Sequence, residues 1–251
     1  MDKTYLKRFE IIKVANYDEM SKLAALTIKD VINLKPNAIL GLATGSSPVG
    51  TYKELIKMCN NKDISFKDVS TYNLDEYCNL ELNHPQSYYT FMYENLFNYV
   101  DINKNNVYIP SSQGNDLKKN CQDYNEALEK IAVDLQLLGI GANGHIGFNE
   151  PNTPFNKSTW IVKLTKNTRE ANKRFFENDI NLVPKYSITM GIKNILKAKK
   201  ILLLISGESK RDALVRLLSG EVSTKFPASA LNLHSNVTVI VDEAAAKLIK
   251  N

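Results

Sequence analysis

The chain has 251 residues, 43% of them hydrophobic and 24% charged, and a formal net charge of +5; this is the balance of an ordinary globular protein, and so thin a positive excess excludes a nucleic-acid footprint while leaving room for an anionic small molecule. Three cysteines, Cys59, Cys78 and Cys121, are odd in number and lack metal-ligand spacing, so they exclude a disulfide framework and read as the reduced thiols of a cytoplasmic protein. The charged opening MDKTYLKRFE reads as neither a signal peptide nor a membrane span, so no membrane partner is expected.

In chain order, Phe9 to Val14 has strand character, and Asn16 with Glu19 three residues on forms a capping box for a helix that Pro36 ends. Ala38 to Leu42 is a continuous apolar run, as expected of a strand buried on both faces. It feeds Gly41 to Tyr52, GLATGSSPVGTY, where Ser47 reads as an N-cap and Pro48 as the first helical residue. A Gly-Ser-Ser turn before a helix offers N–H groups, hydroxyls and a favourable dipole to an anion; it is equally compatible with an ordinary strand-to-helix turn. A third strand, Val69 to Leu74, runs into Asp75-Glu76-Tyr77. Adjacent acids on a strand face opposite ways, so at most one enters a shared site, as a candidate general base or else as a cap or ion-pair partner. His84 to Ser87 turns the chain into an aromatic-rich helix, Tyr88 to Tyr99, which reads as packing.

A short strand at Val107 to Ile109 and an amphipathic helix, Leu117 to Ile131, precede the apolar run Val133 to Leu138, which breaks into Gly139, Gly141 and Gly144. A strand ending in glycines marks a close approach of backbone to something else. Asn143, His145 and Glu150 sit within that turn. They cap the next element or, given that functional groups gather on loops beyond the carboxyl ends of strands, they form a site. The stretch after Pro151 is polar, with a strand at Thr159 to Val162 and a charged helix from Thr168 to Glu177; a poorly apolar insert at about 156–185 reads as a lid. Ile201 to Ile205 is again a buried strand. Lys210 follows it near a helix N-terminus, where the dipole disfavours a cation unless an anion compensates or water solvates it. Val237 to Val241 is the last strand, and Asp242 caps the last helix. The unbroken alternation predicts one α/β domain over 1–251, a doubly wound, mostly parallel sheet with helices on both faces and a lid segment after the glycine-rich loop.

The stretches GLATGSSPVGTY, NLDEY, HPQSYYTFM, GIGANGHIGFNEP, NTREANKRFF, VPKYSITMG and SGESK occur in an order and content that resemble the glucosamine-6-phosphate deaminases over nearly the whole length. The resemblance implies conversion of glucosamine 6-phosphate and water to fructose 6-phosphate and ammonia, in amino-sugar catabolism, with no cofactor and no metal. It implies Asp75 as the base moving a proton between C2 and C1, His145 as the group assisting ring opening, and Glu150 as the carboxylate that orients or charges it. The phosphate is expected on Thr44, Gly45, Ser46 and Ser47 with Arg174 and Lys210. Where many members have an aspartate this chain has Asn143, which can hydrogen-bond but cannot carry charge. Regulated members are hexamers with a phosphate pocket at the subunit interface; the positions matching that pocket are Thr153, Trp160 and Val162, and the chain ends at Asn251. A non-allosteric monomer or small homo-oligomer is therefore expected. Two rivals share the fold. A 6-phosphogluconolactonase would not carry Phe148-Asn149-Glu150-Pro151, and a sugar-phosphate-sensing regulator would need a DNA-binding helix-turn-helix.

Overall fold

The computed structural model describes residues 9–248; the charged start and the chain's end at Asn251, on which two expectations rest, lie outside them. Among the described residues ten strands and eight α-helices follow one another: β1 (Glu10–Val14), α1 (Tyr17–Leu34), β2 (Ile39–Leu42), α2 (Ser46–Asn60), β3 (Ser70–Asn73), β4 (Asp75–Tyr77), α3 (Tyr88–Asn95), β5 (Val107–Tyr108), α4 (Leu117–Glu129), β6 (Leu135–Gly139), β7 (Trp160–Lys163), α5 (Lys166–Asn172), β8 (Tyr186–Thr189), α6 (Ile192–Ile195), β9 (Ile201–Ile205), α7 (Arg211–Leu218), β10 (Val237–Asp242) and α8 (Glu243–Ala246). Seven strands form one sheet in the order β1-β10-β9-β6-β2-β3-β5, and every pairing in it is parallel.

The apolar runs of β6, β9 and β10 are explained by burial on both faces. Leu138, Leu203, Ile205, Val239 and Val241 pack into one core with α4, α6, α7 and α8, while Leu135, Leu137, Leu202, Leu204 and Ile240 pack on the other face with α1, α2 and α3. The expected doubly wound sheet is thus present. Its ends are set by local chemistry: the Asn16 side chain accepts from the Glu19 N–H at 3.0 Å, and the Glu19 carboxylate accepts from the Ala15 N–H at 3.0 Å, closing the capping box one residue early. Asp242 caps α8 through the Ala245 N–H at 2.8 Å.

Three sequence expectations need correction. Asp75 to Tyr77 is not the tail of β3 but a separate strand in a second, antiparallel sheet of order β4-β8-β7. Leu74 is the crossing point, donating to the Leu42 carbonyl of the large sheet at 3.1 Å and accepting from the Met190 N–H beside the small one at 2.6 Å. Helix α2 starts at Ser46, with Gly45 as its N-cap at φ 91°, so Ser47 does not cap it and Pro48 lies later in the first turn, where its missing N–H costs nothing. The charged helix read from Thr168 to Glu177 is capped by the Thr165 hydroxyl, spans Lys166–Asn172 and tightens to a 3₁₀ turn over Lys173–Phe175.

Candidate active site

The loops after β2, β3, β6 and β9 leave the same carboxyl-terminal edge of the parallel sheet and meet the small sheet and α5 around a cleft of about 700 Å³. Thr44, Gly45, Ser46, Ser47, Asp75, Asn143, His145, Arg174 and Lys210 all line it; Glu150 lies behind that surface. The sequence reading therefore gathered residues from five separate segments that the fold brings together.

At one end stands the start of α2. Because Gly45 turns the chain early, the Ser46 and Ser47 amides belong to the helix's first turn, whose N–H groups have no intrahelical acceptor. Gly139 at the end of β6 leaves room beside the Ser47 hydroxyl, since a Cβ there would stand 3.4 Å from it. Lys210 caps α7 after a single 3₁₀ turn, against the dipole. Burial, and next the Arg174 guanidinium, hold its ammonium below the ordinary lysine range. The two cations thus feel each other's charge within the cleft that the first turn of α2 also lines.

At the other end, Asp75 is 6% exposed. Burial first, and then the like charge of Glu76, push its carboxyl up to about 8. Gly147, at φ 56°, passes close by: a Cβ added there would lie 3.3 Å from the Asp75 carboxylate and 3.1 Å from the Thr189 hydroxyl. Glu76 points the other way, as adjacent strand residues must, and accepts from the N–H groups of Tyr77, Tyr88 and Tyr89. Of the two acids, the cleft takes Asp75.

His145 lines the same cleft. Its ring packs over Gly141, where a Cβ would fall 2.3 Å from the imidazole, and Gly144, at φ 84°, runs against the Phe226 ring. Desolvation holds the imidazole below its ordinary pKa, with the Glu150 charge opposing and Lys210 adding to the depression, so the ring is neutral near pH 7. Its Nδ1 lies 3.9 Å from the Glu150 carboxylate. Glu150, 6% exposed, is held by the Asn143 amide at 2.8 Å, by the Thr168 hydroxyl through a short bond, and by Thr165 at 3.5 Å. Asn143 accepts from the backbone N–H of His145 at 3.2 Å, so it touches the histidine through the main chain and the glutamate through its amide.

Sequence reasoning missed several of these residues. Tyr88 and Phe91, read as packing, line the cleft, and the Tyr88 phenol lies against the Thr44 hydroxyl. Thr165 and Thr168 carried no signal beyond a helix cap, and the Phe226 contact joins Gly144 to a segment the periodicity left unread. Among the described residues there is no group of three or more His, Cys, Asp or Glu able to hold a metal ion, and no helix long and apolar enough to cross a membrane.

An open parallel sheet whose carboxyl-terminal edge carries a cleft lined by cations, a helix start and a buried carboxylate is the layout of an enzyme of the doubly wound class. The chain belongs to the family of glucosamine-6-phosphate isomerases/6-phosphogluconolactonase, whose model matches residues 13–240. It is 51% identical over 241 residues to the glucosamine-6-phosphate deaminase of Thermoanaerobacter sp. (strain X514), covering 96% of this chain and 95% of that one. It is 49% identical over 243 residues to the glucosamine-6-phosphate deaminase of Mycoplasma mycoides subsp. mycoides SC, covering 96% and 98%. A solved monomeric glucosamine-6-phosphate deaminase superposes with a TM-score of 0.93 at 46% identity, over 96% of this chain and 100% of the other. The 6-phosphogluconolactonase of Leishmania guyanensis, at 19% identity and a TM-score of 0.76 over 97% and 99%, shares the fold.

Proposed function

We propose that this chain is a glucosamine-6-phosphate deaminase, converting glucosamine 6-phosphate and water to fructose 6-phosphate and ammonia in amino-sugar catabolism. The observation that supports it most directly is the pairing, in one cleft, of a lone buried carboxylate with the Arg174–Lys210 cradle. The phosphate binds the Thr44–Ser47 turn with Arg174 and Lys210, remote from the reacting carbons, and its binding energy orients them. Neutral His145, backed by Glu150, handles the proton of the ring oxygen as the sugar opens. Asp75 then takes the proton from C2 and returns it to C1. The amine-bearing carbon becomes an iminium, which water hydrolyses to the ketone with release of ammonia.

The raised pKa of Asp75 suits this role: a carboxylate reluctant to ionise is a stronger base, and a substrate ammonium beside it favours the charged form. Glu150 has its hydrogen bonds from neutral donors, so its charge remains available to His145. The same reading makes the segment at about 156–185 a lid over the substrate, since Asn167, Thr168, Ala171, Asn172 and Phe175 form one wall of the cleft. It also makes the enzyme a cytoplasmic monomer or small homo-oligomer; the three unpaired cysteines and the monomeric state of the solved relative support this.

Purified protein tests the reading. Ammonia and fructose 6-phosphate are expected to form in equal amounts from glucosamine 6-phosphate, with no added cofactor and in the presence of a chelator. Hydrolysis of 6-phosphogluconolactone without ammonia release would replace the deaminase with the family's other activity.

A further inference from the structure

Glu76 has no contact with the cleft, yet it is 2% exposed and spends a full carboxylate inside the protein. One oxygen accepts from the Tyr77 N–H at 2.8 Å and the Tyr88 N–H at 2.9 Å, and the other from the Tyr89 N–H at 2.8 Å. Among the described residues no lysine, arginine or histidine pairs with it. Tyr88 and Tyr89 are the first residues of α3, so two of the three donors are N–H groups the helix itself cannot satisfy. The helix already has an ordinary cap, the Ser87 hydroxyl accepting from the Thr90 N–H at 3.0 Å. Glu76 is thus a second clamp, and it comes from a different element.

What the clamp joins gives it meaning. On one side is β4, whose alternation turns Asp75 into the cleft as Glu76 turns away. On the other is Tyr88, whose phenol meets the Thr44 hydroxyl at the start of the anion cradle. We propose that Glu76 is a positioning residue for proton transfer, fixing the first turn of α3 to β4 and so setting the span from the Asp75 carboxylate to the Thr44–Ser47 end of the cleft. The inference rests on Asp75 acting as the base of the proposed deamination. A substrate anchored by its phosphate presents C2 at a fixed distance from that anchor, so an error in this span is an error in the approach of the base.

A second consequence is electrostatic. The titratable groups facing Asp75 are Glu76 and Tyr77 on its own strand, Tyr88 on α3 and Tyr124 on α4. Burial pushes all three phenols upward, so they stay neutral at working pH. Glu76 faces Cys78 as well, whose thiol burial pushes up to about 11. Burial pushes the Glu76 carboxyl up as well, and the N–H groups of Tyr88, Tyr89 and Tyr77 oppose this by favouring its charged form; once ionised, its charge holds the pKa of Asp75 up.

The test is the pH dependence of kcat and KM for Glu76→Gln and Glu76→Asp against wild type, with melting temperatures alongside. The glutamine keeps the shape but sets an NH₂ against a backbone N–H and removes the charge. Its kcat is expected to fall roughly 10- to 100-fold with KM within about twofold, and the acid limb of kcat/KM to move to lower pH. The aspartate keeps the charge but not the reach: kcat falls, and the acid limb stays at the wild-type position. A lower melting temperature in both variants with kcat, KM and acid limb unchanged would make Glu76 merely structural and overturn the proposal. If Glu76→Gln does not fold, a wild-type kcat for Glu76→Asp overturns it equally. Absence of wild-type turnover would remove the functional reading and this inference with it, whereas wild-type turnover matched by both variants removes the inference alone.

Discussion

The two ends of the cleft solve opposite electrostatic problems. At the cradle, Arg174 is exposed and Lys210 half-buried, and both stand at the mouth with backbone N–H groups of α2. At the base, Asp75 and Glu76 are both buried between the small sheet and α3, satisfied by neutral donors or by none. At the cradle the charge is only partly desolvated, Arg174 being exposed while burial lowers the Lys210 ammonium, which suits an anion that must come and go. The base has desolvation that works against charge, which suits a group needing a strong grip on a proton. On the proposed function, the difference also separates what each end controls: the cradle would govern affinity and the base turnover.

The largest effect belongs to the base. Asp75→Asn is expected to lower kcat by about 10²–10⁴ with KM little changed; a variant with near wild-type turnover would make another group the base. The same change is expected to stabilise the fold. A carboxyl whose folded pKa is about 8, well above its unfolded value, contributes most stability at low pH and loses it as pH rises through 8. Asparagine has no such loss. Wild type and Asp75→Asn should melt together near pH 4, and the variant should melt several degrees higher near pH 9, a difference on the order of a few kcal/mol. Equal melting temperatures at both pH values would mean Asp75 is not held neutral by its surroundings.

The cradle comes next. Lys210→Ala and Arg174→Ala each remove a charged partner of the phosphate, a loss of roughly 1.5–3 kcal/mol or about 10- to 100-fold in KM, with kcat largely kept. If Lys210→Ala lowered kcat at unchanged KM, the lysine would belong to the chemistry and the division between the two ends would fail.

Between the ends, Asn143 is the residue that sharpens the comparison. Its amide donates to Glu150 at 2.8 Å, whereas an aspartate there would put two carboxylates in contact, and they could not both ionise freely. Asn143→Asp is expected to stay active within about tenfold and to move the pH profile of kcat as the pair shares a proton. A profile superimposable on wild type would show that Glu150 and His145 do not feel this position.

The contrast also explains how much of the protein was legible in its sequence. The parallel strands announce themselves because burial on both faces demands continuous apolar runs, and the cradle is visible because glycine, serine and a helix start lie side by side in the chain. The base end is hidden by non-local pairing. Strand β4 is three polar or aromatic residues that merge in sequence with β3, and its partner β8 lies more than a hundred residues away, so neither the second sheet nor the separation of Asp75 from β3 shows in any periodicity. Glu150's donors Thr165 and Thr168 look like helix-cap residues, and Thr165 is one. Gly45's positive φ starts α2 at Ser46, ahead of the Pro48 that the sequence marks as the first helical residue.

The smallest expected effect is no effect. Regulation through a phosphate pocket at the positions of Thr153, Trp160 and Val162 would need cations there, and the structure uses those side chains otherwise. Trp160 donates its indole N–H to Asn149 at 3.2 Å, and Asn149 in turn donates to the carbonyls of Ile146 at 3.0 Å and Met190 at 2.8 Å. Val162 is buried in an apolar cluster with Phe148, Tyr77 and Leu164. Thr153 gives its hydroxyl to the Glu150 carbonyl at 2.7 Å. The nearby cation, Lys157, lies over the Trp160 ring at 5.0 Å. These contacts tie the glycine-rich loop to β7 and the end of β8 within one chain. A ligand with no differential contacts shifts no equilibrium. Saturation curves for glucosamine 6-phosphate are therefore expected to be hyperbolic, and superimposable with and without N-acetylglucosamine 6-phosphate at non-competing concentrations. A sigmoidal curve that this compound renders hyperbolic would show that a second site exists, built from other residues, and that the base end is free to move after all.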